Sequence, residues 1–257
     1  MTKALRSAAL LGVLGLAVLL AACGGSGGDD TETPPAGSTI TSPTETATSE
    51  ERAQTQNLLK AAALQPKDLP GTFTLEGETY TTNEDEGQSV ARFPGDITID
   101  DLNRLGRILG YEATYSWPSE GMGSEGPLLL QVTVELFRDA DGAHEAFEMG
   151  SQVASNPQFV QAFRDELEAE GTTVGDVNVS PAAVSEVGDE SDGHDIQLTA
   201  HYAEPPADVD LVGRHVGMRR GRGIASVAMW AFGSPPPVDQ LEALARTLDE
   251  RLKDALE

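Results

Sequence analysis

Apolar side chains recur along this chain with two periods, and each period predicts one kind of element. The strictest alternation runs through Tyr111-Glu112-Ala113-Thr114-Tyr115-Ser116-Trp117, which puts aromatics and Ala113 on one face and polar groups on the other. It predicts a strand with one wet side. Leu128, Leu130, Val132, Val134 and Leu136 alternate against Leu129, Gln131, Thr133, Glu135 and Phe137, a second half-buried strand that pairs with the first. Further strands are expected over 72–82, Val174–Val179 and Ile196–Tyr202. Leu211–Met218 and Ile224–Phe232 read as a hairpin turned at Arg220-Gly221-Arg222-Gly223.

Helical spacing fills the intervals. Ser49 caps a helix running to about Leu64, where Gln65-Pro66 stops it. Thr98 and Asp101 have capping-box spacing ahead of Ile99, Leu102, Leu105, Ile108 and Leu109, a stripe that ends at Gly110. Asp139 caps a helix with Ala143, Ala146, Phe147 and Met149 inward; Asn156-Pro157 starts another with Phe159, Val160, Phe163 and Leu167 inward, ending at Gly171. The last helix carries Val238, Leu241, Leu244, Ala245, Leu248, Leu252 and Leu256 on one face, after Pro235-Pro236-Pro237. Residues 83–96 and 181–195, both acidic, read as exposed loops. The expected fold class is α+β: a two-layer sandwich of a mainly antiparallel sheet and amphipathic helices, with two related strand-helix halves. Its element order distantly resembles the sandwiches of PsbP/Mog1-type and extracytoplasmic sensor domains, and that likeness carries no functional residue with it.

The N-terminus follows another rule. Lys3 and Arg6 precede an apolar stretch from Ala8 to Ala22, the layout of a secretory signal, and Leu20-Ala21-Ala22-Cys23 closes it. This run resembles the lipobox of bacterial prolipoproteins. The resemblance implies a diacylglyceryl group on the Cys23 thiol, cleavage before Cys23 and acylation of the new amine. The expected domains are a signal peptide over 1–22, a lipidated Cys23 with a flexible Gly-, Thr-, Ser- and Pro-rich tether over 23–49, and one globular domain over 50–257. About 26 tether residues reach roughly 30 Å from the lipid surface. The location implied is the outer face of the plasma membrane, or the outer membrane of a diderm, with the membrane as partner through the anchor.

Composition narrows the chemistry. The formal charge is −25, and loss of residues 1–22 removes Lys3 and Arg6 but no acid, leaving −27. A field of that sign repels phosphate backbones, so nucleic acid is not an expected partner. Cys23 is the single cysteine, so neither a disulfide within the chain nor a thiolate metal site follows from the sequence.

Gly121-Met122-Gly123-Ser124-Glu125-Gly126 has dinucleotide-fingerprint spacing but precedes a strand instead of a helix, and Met122 breaks the nucleophile-elbow pattern at Ser124. His144, His194, His201 and His215 form no zinc-hydrolase motif; His201 and His215 are placed to meet across a sheet. Glu186 with Asp189-Glu190-Ser191-Asp192-Gly193-His194-Asp195 offers oxygen ligands for calcium without EF-hand order. Arg214, Arg219, Arg220 and Arg222 make the basic cluster, a candidate patch for an anion or a partner's carboxylates. Tyr115, Trp117, Trp230 and Phe232 either fill the core or line an apolar pocket. No catalytic, cofactor-binding or metal residue is assigned, and no cofactor is expected. The functional expectation is a noncatalytic, lipid-anchored binding or interaction module of unknown protein or small-molecule partner, ahead of a hydrophobic-ligand carrier or sensor and of an extracytoplasmic hydrolase.

Overall fold

The computed structural model describes residues 49–70, 73–90, 98–117, 126–153, 160–161, 164, 168, 173–203 and 206–257, with the backbone alone for 87–90, 126–128, 153, 202–203 and 206–207. Cys23, the tether, the glycine-rich loop over 121–125 and most of the helix expected after Pro157 lie outside the described residues.

The chain forms the α+β sandwich its periodicities predict. In order it runs α1 (Ser49–Ala62), a 3-10 turn (Pro66–Asp68), β1 (Thr74–Thr81), α2 (Asn83–Val90), α3 (Ile99–Leu105), β2 (Arg107–Ser116), β3 (Gly126–Phe137), α4 (Ala140–Val153), β4 (Thr173–Pro181), β5 (Glu190–Ala203), β6 (Pro206–Arg220), β7 (Gly223–Phe232) and α5 (Val238–Leu256). Seven antiparallel strands make one sheet in the order β1-β2-β3-β7-β6-β5-β4. Strands β3 and β7 therefore meet at its centre, each closing one expected half. The helices that follow them break the likeness, because α4 packs with Phe137 and Ile224 on one face while α5 packs with Val216, Val227 and Met218 on the other.

The face under α1 and α5 is dry. Tyr111, Ala113 and Tyr115 from β2, Leu130, Val132 and Val134 from β3, and Ala225, Val227 and Met229 from β7 meet Leu59, Leu241, Leu244, Leu248 and Leu252 in one continuous core. Each fully buried leucine contributes about 1.5–3 kcal/mol. The amphipathic stripe of α5 faces this layer as its spacing requires, with Pro237 at its N-cap.

Three boundaries differ from expectation. The stripe from Ile99 does not continue to Gly110: Gly106, at φ 77°, takes the left-handed cap conformation and donates to the carbonyls of Asn103 and Leu102, and Ile108–Gly110 join β2. Residues 83–90 are not an exposed loop but α2, closed by a reciprocal cap in which Asp85 N donates to Thr82 Oγ1 and Thr82 N donates to Asp85 Oδ2. Finally, β5 begins at Glu190, so half of the expected acidic loop lies in the sheet.

α2 is fixed by a buried charge. Arg107, with its side chain 1% exposed, donates from Nε to Glu135 Oε1 at 2.8 Å and from Nη2 to Glu86 Oε2 at 3.2 Å. It also donates to the Thr81 carbonyl and hydroxyl and to Asn83 Oδ1. One guanidinium thus ties β1, α2, β2 and β3 together. Burial pushes the Glu86 carboxyl up to about 7, against the opposing pull of Arg107.

Candidate functional site

The opposite face of the sheet was expected to be wet, and it is not. Thr114 from β2, Gln131, Thr133 and Glu135 from β3, Ser226 from β7, and His194 and His215 from β5 and β6 are all buried. Alternation assigns these residues to one side correctly; it cannot say whether that side meets water. Most of these groups find partners across the strands. The Thr133 and Ser226 hydroxyls share a hydrogen bond at 2.7 Å, and Trp230 Nε1 donates to Gln131 Oε1 at 3.1 Å.

One group does not. His194 and His215 are direct partners in the β5–β6 ladder, 7% and 6% exposed, with ring centroids 6.4 Å apart. Neither Nδ1 nor Nε2 of His215 has a hydrogen-bond partner, although both are buried. Burial, opposed by the nearby Asp192 carboxylate and helped by His194, pushes the His215 imidazole down to about 4, so it is neutral near pH 7.

Asp192 lies two residues before His194 in β5 and so projects to the same face. It stands opposite Gly217. A Cβ at position 217 would come within 2.5 Å of Asp192 Oδ1 and 3.2 Å of His215 Cε1, so glycine there makes room for the carboxylate beside the imidazole. Donor atoms of Asp192, His194 and His215 all lie within 4.8 Å of one another. Among the described residues this is the one cluster of histidine, cysteine and carboxylate side chains gathered closely enough to share an ion.

The remaining sequence candidates fall elsewhere. His201 does not meet His215; seven residues from His194, it projects to the other side of β5 and pairs with Asp208 at 2.7 Å. His144 Nδ1 lies 2.8 Å from Glu190 Oε1. The basic hairpin and the acidic stretch, read from sequence as separate candidates, meet each other. Arg219 pairs with Glu190 and Asp189, Arg220 with Asp249 and Asp189, and Arg214 with Asp195, while Arg222 Nη1 donates to the Phe137 carbonyl. Of the carboxylates considered for calcium, Asp189, Glu190 and Asp195 are therefore engaged with guanidinium groups. Tyr115 donates to the Leu64 carbonyl under α1, and Trp117 stacks edge-on with Phe73 at 5.1 Å, whereas Trp230 lies on the polar face. These aromatics do not line one pocket.

His194 was missed because Asp189–Asp195 reads as a solvated acidic run. The signal was present nonetheless: the alternation of Ile196 and Leu198 continues backward through His194 and Asp192 without a break in phase.

No family model matches the chain, and no curated protein matches it. Among solved structures, the extracellular domain of PknH from Mycobacterium tuberculosis is similar over 77% of this chain and 96% of that domain, with 11% identity and a TM-score of 0.42. A likeness that loose transfers no site, ligand or activity. Among the described residues, no helix is long and apolar enough to cross a membrane.

Proposed function

We propose that this chain is a noncatalytic extracytoplasmic binding module, held by lipid at Cys23 to the outer face of a bacterial membrane. The observation that carries the reading is the N-terminal run itself: Lys3 and Arg6, the apolar stretch to Ala22, then Cys23 directly after two small residues. The sandwich starting at Ser49 fits a tethered domain, since the residues between Cys23 and Ser49 contain almost no apolar side chains. Two or three acyl chains give a stable anchor where one is marginal.

Two features favour binding over catalysis. The paired carboxylates Glu86 and Glu135 close on the Arg107 guanidinium inside the fold. The polar residues that do gather on one face, Gln131, Thr133, Ser226, His194 and His215 among them, are buried.

Metabolic labelling with a fatty-acid probe tests the anchor. The wild-type chain should take up the label and sediment with membranes, and Cys23→Ser should do neither. An unlabelled wild-type chain, or unchanged fractionation of Cys23→Ser, overturns the reading.

A further inference from the structure

We propose that Asp192, His194 and His215 bind a divalent transition cation, zinc above all, on the enclosed polar face of the sheet. The inference is independent of the lipid anchor, because it concerns only the folded domain.

Two imidazoles and one carboxylate, with no thiolate, suit zinc and its neighbours in the first transition row better than calcium or magnesium, which prefer all-oxygen shells. Three protein donors leave one position for a further ligand, as in open zinc sites. The usual sequence signature places two histidines one turn apart on a helix. Here the same convergence comes from two strands: an Asp-x-His pair on β5 shares a face, and ladder register sets His215 directly across from His194.

Distance comes next. Donors at about 2.0–2.1 Å from a tetrahedral ion stand roughly 3.3 Å apart. The donors here lie within 4.8 Å of one another, so about 1.5 Å of side-chain movement closes the set. Gly217 leaves the carboxylate its space; a Cβ there would force Asp192 Oδ1 to shift.

A buried polar group without a partner destabilises a fold by about 1–3 kcal/mol. On the same face the Thr133 and Ser226 hydroxyls pair, and Trp230 Nε1 finds Gln131 Oε1, although Gln131 Nε2 has no partner. Both ring nitrogens of His215 are buried without a partner, and this imidazole belongs to the cluster in which donors converge. Cation binding is the role that explains its type, its position and its missing partners together.

Titration of chelator-treated full-length chain with zinc chloride, followed by calorimetry, tests this. One zinc should bind per chain, and cobalt in its place should give the visible absorption of a low-coordinate nitrogen–oxygen site. His215→Asn and Asp192→Asn should each weaken binding by more than the roughly 10–100-fold that loss of an outer-shell partner costs. Gly217→Ala should weaken it while leaving all three donors present. His144→Asn and His201→Asn should bind as wild type does, and so should Cys23→Ser, which separates this result from the fate of the anchor. Circular dichroism establishes that each variant is folded; if His215→Asn is not, Gly217→Ala and the cobalt spectrum of wild type decide. A folded wild-type chain with no saturable zinc binding, or binding that survives Asp192→Asn and Gly217→Ala or falls with His144→Asn or His201→Asn, overturns the proposal.

Discussion

The two faces of the sheet are made by the same strands, residue by alternate residue, yet they do different work. On one, Leu130, Val132, Val134, Val227 and Met229 pack against α1 and α5 in one hydrophobic cluster. On the other, Gln131, Thr133, Ser226, His194 and His215 are equally buried. Apolar burial is non-directional and tolerates adjustment. Buried polar groups are directional, and each must be matched or it destabilises the fold. The first face supplies stability, and the second fixes which groups stand opposite one another. A contrast within the second face sharpens the point: the Arg107 guanidinium is held by Glu135, Glu86, Thr81 and Asn83, while neither ring nitrogen of His215 has a hydrogen-bond partner.

The largest expected effect breaks the satisfied charge cluster. Arg107→Met leaves Glu86 and Glu135 buried without their partner and should cost about 3–5 kcal/mol in urea unfolding. On the dry face, Leu248→Ala, at a fully buried position of α5, should cost about 2–5 kcal/mol, depending on how far the cavity collapses. On the polar face, the response should depend on pairing. Thr133→Val strands the Ser226 hydroxyl and should cost about 1–3 kcal/mol, whereas Thr133→Val with Ser226→Ala should recover most of that loss. Equal losses for the single and double variants would show that the pair is not a unit.

A smaller effect is read against pH. Burial raises the Glu86 carboxyl from 4.5 to about 7, with Arg107 opposing the shift and Glu135 and Glu112 adding to it. The folded chain therefore holds a proton that the unfolded chain has released between these values. Its contribution to stability is fully present below about 4.5 and is lost as pH rises through about 7. Glu86→Gln should remove that fall and flatten the difference profile between pH 4.5 and 7, as read from denaturation midpoints; a profile parallel to wild type would contradict the assignment.

Much of the fold was legible because its signals are local and periodic. The alternation in β2, β3 and β7 and the stripe of α5 give element, face and partner alike. What was not legible depended on groups far apart in sequence. α2 looks like a solvated acidic loop until Arg107, from the start of β2, is placed against Glu86 and Asn83. The end of α3 was read past Gly106 because Ile108 and Leu109 continue the apolar spacing, although the chain has already turned into β2. The candidate site shows the same limit. Arginines of the β6–β7 hairpin and acids near the start of β5 are separate charge runs in sequence and one ion-pair network in space. Period-two spacing puts Asp192 and His194 on one face, but only strand register brings His215 beside them.

The division of labour between the faces is tested most directly by the melting temperature of the full chain with and without saturating zinc, compared across wild type, Leu248→Ala and His215→Asn. A ligand that binds only the folded state at 100 times its Kd stabilises by about 2.7 kcal/mol. Zinc should raise the melting temperatures of wild type and Leu248→Ala by similar amounts, even though the second starts lower, and should leave His215→Asn unmoved. A similar rise in all three chains, or none in wild type, would contradict the account.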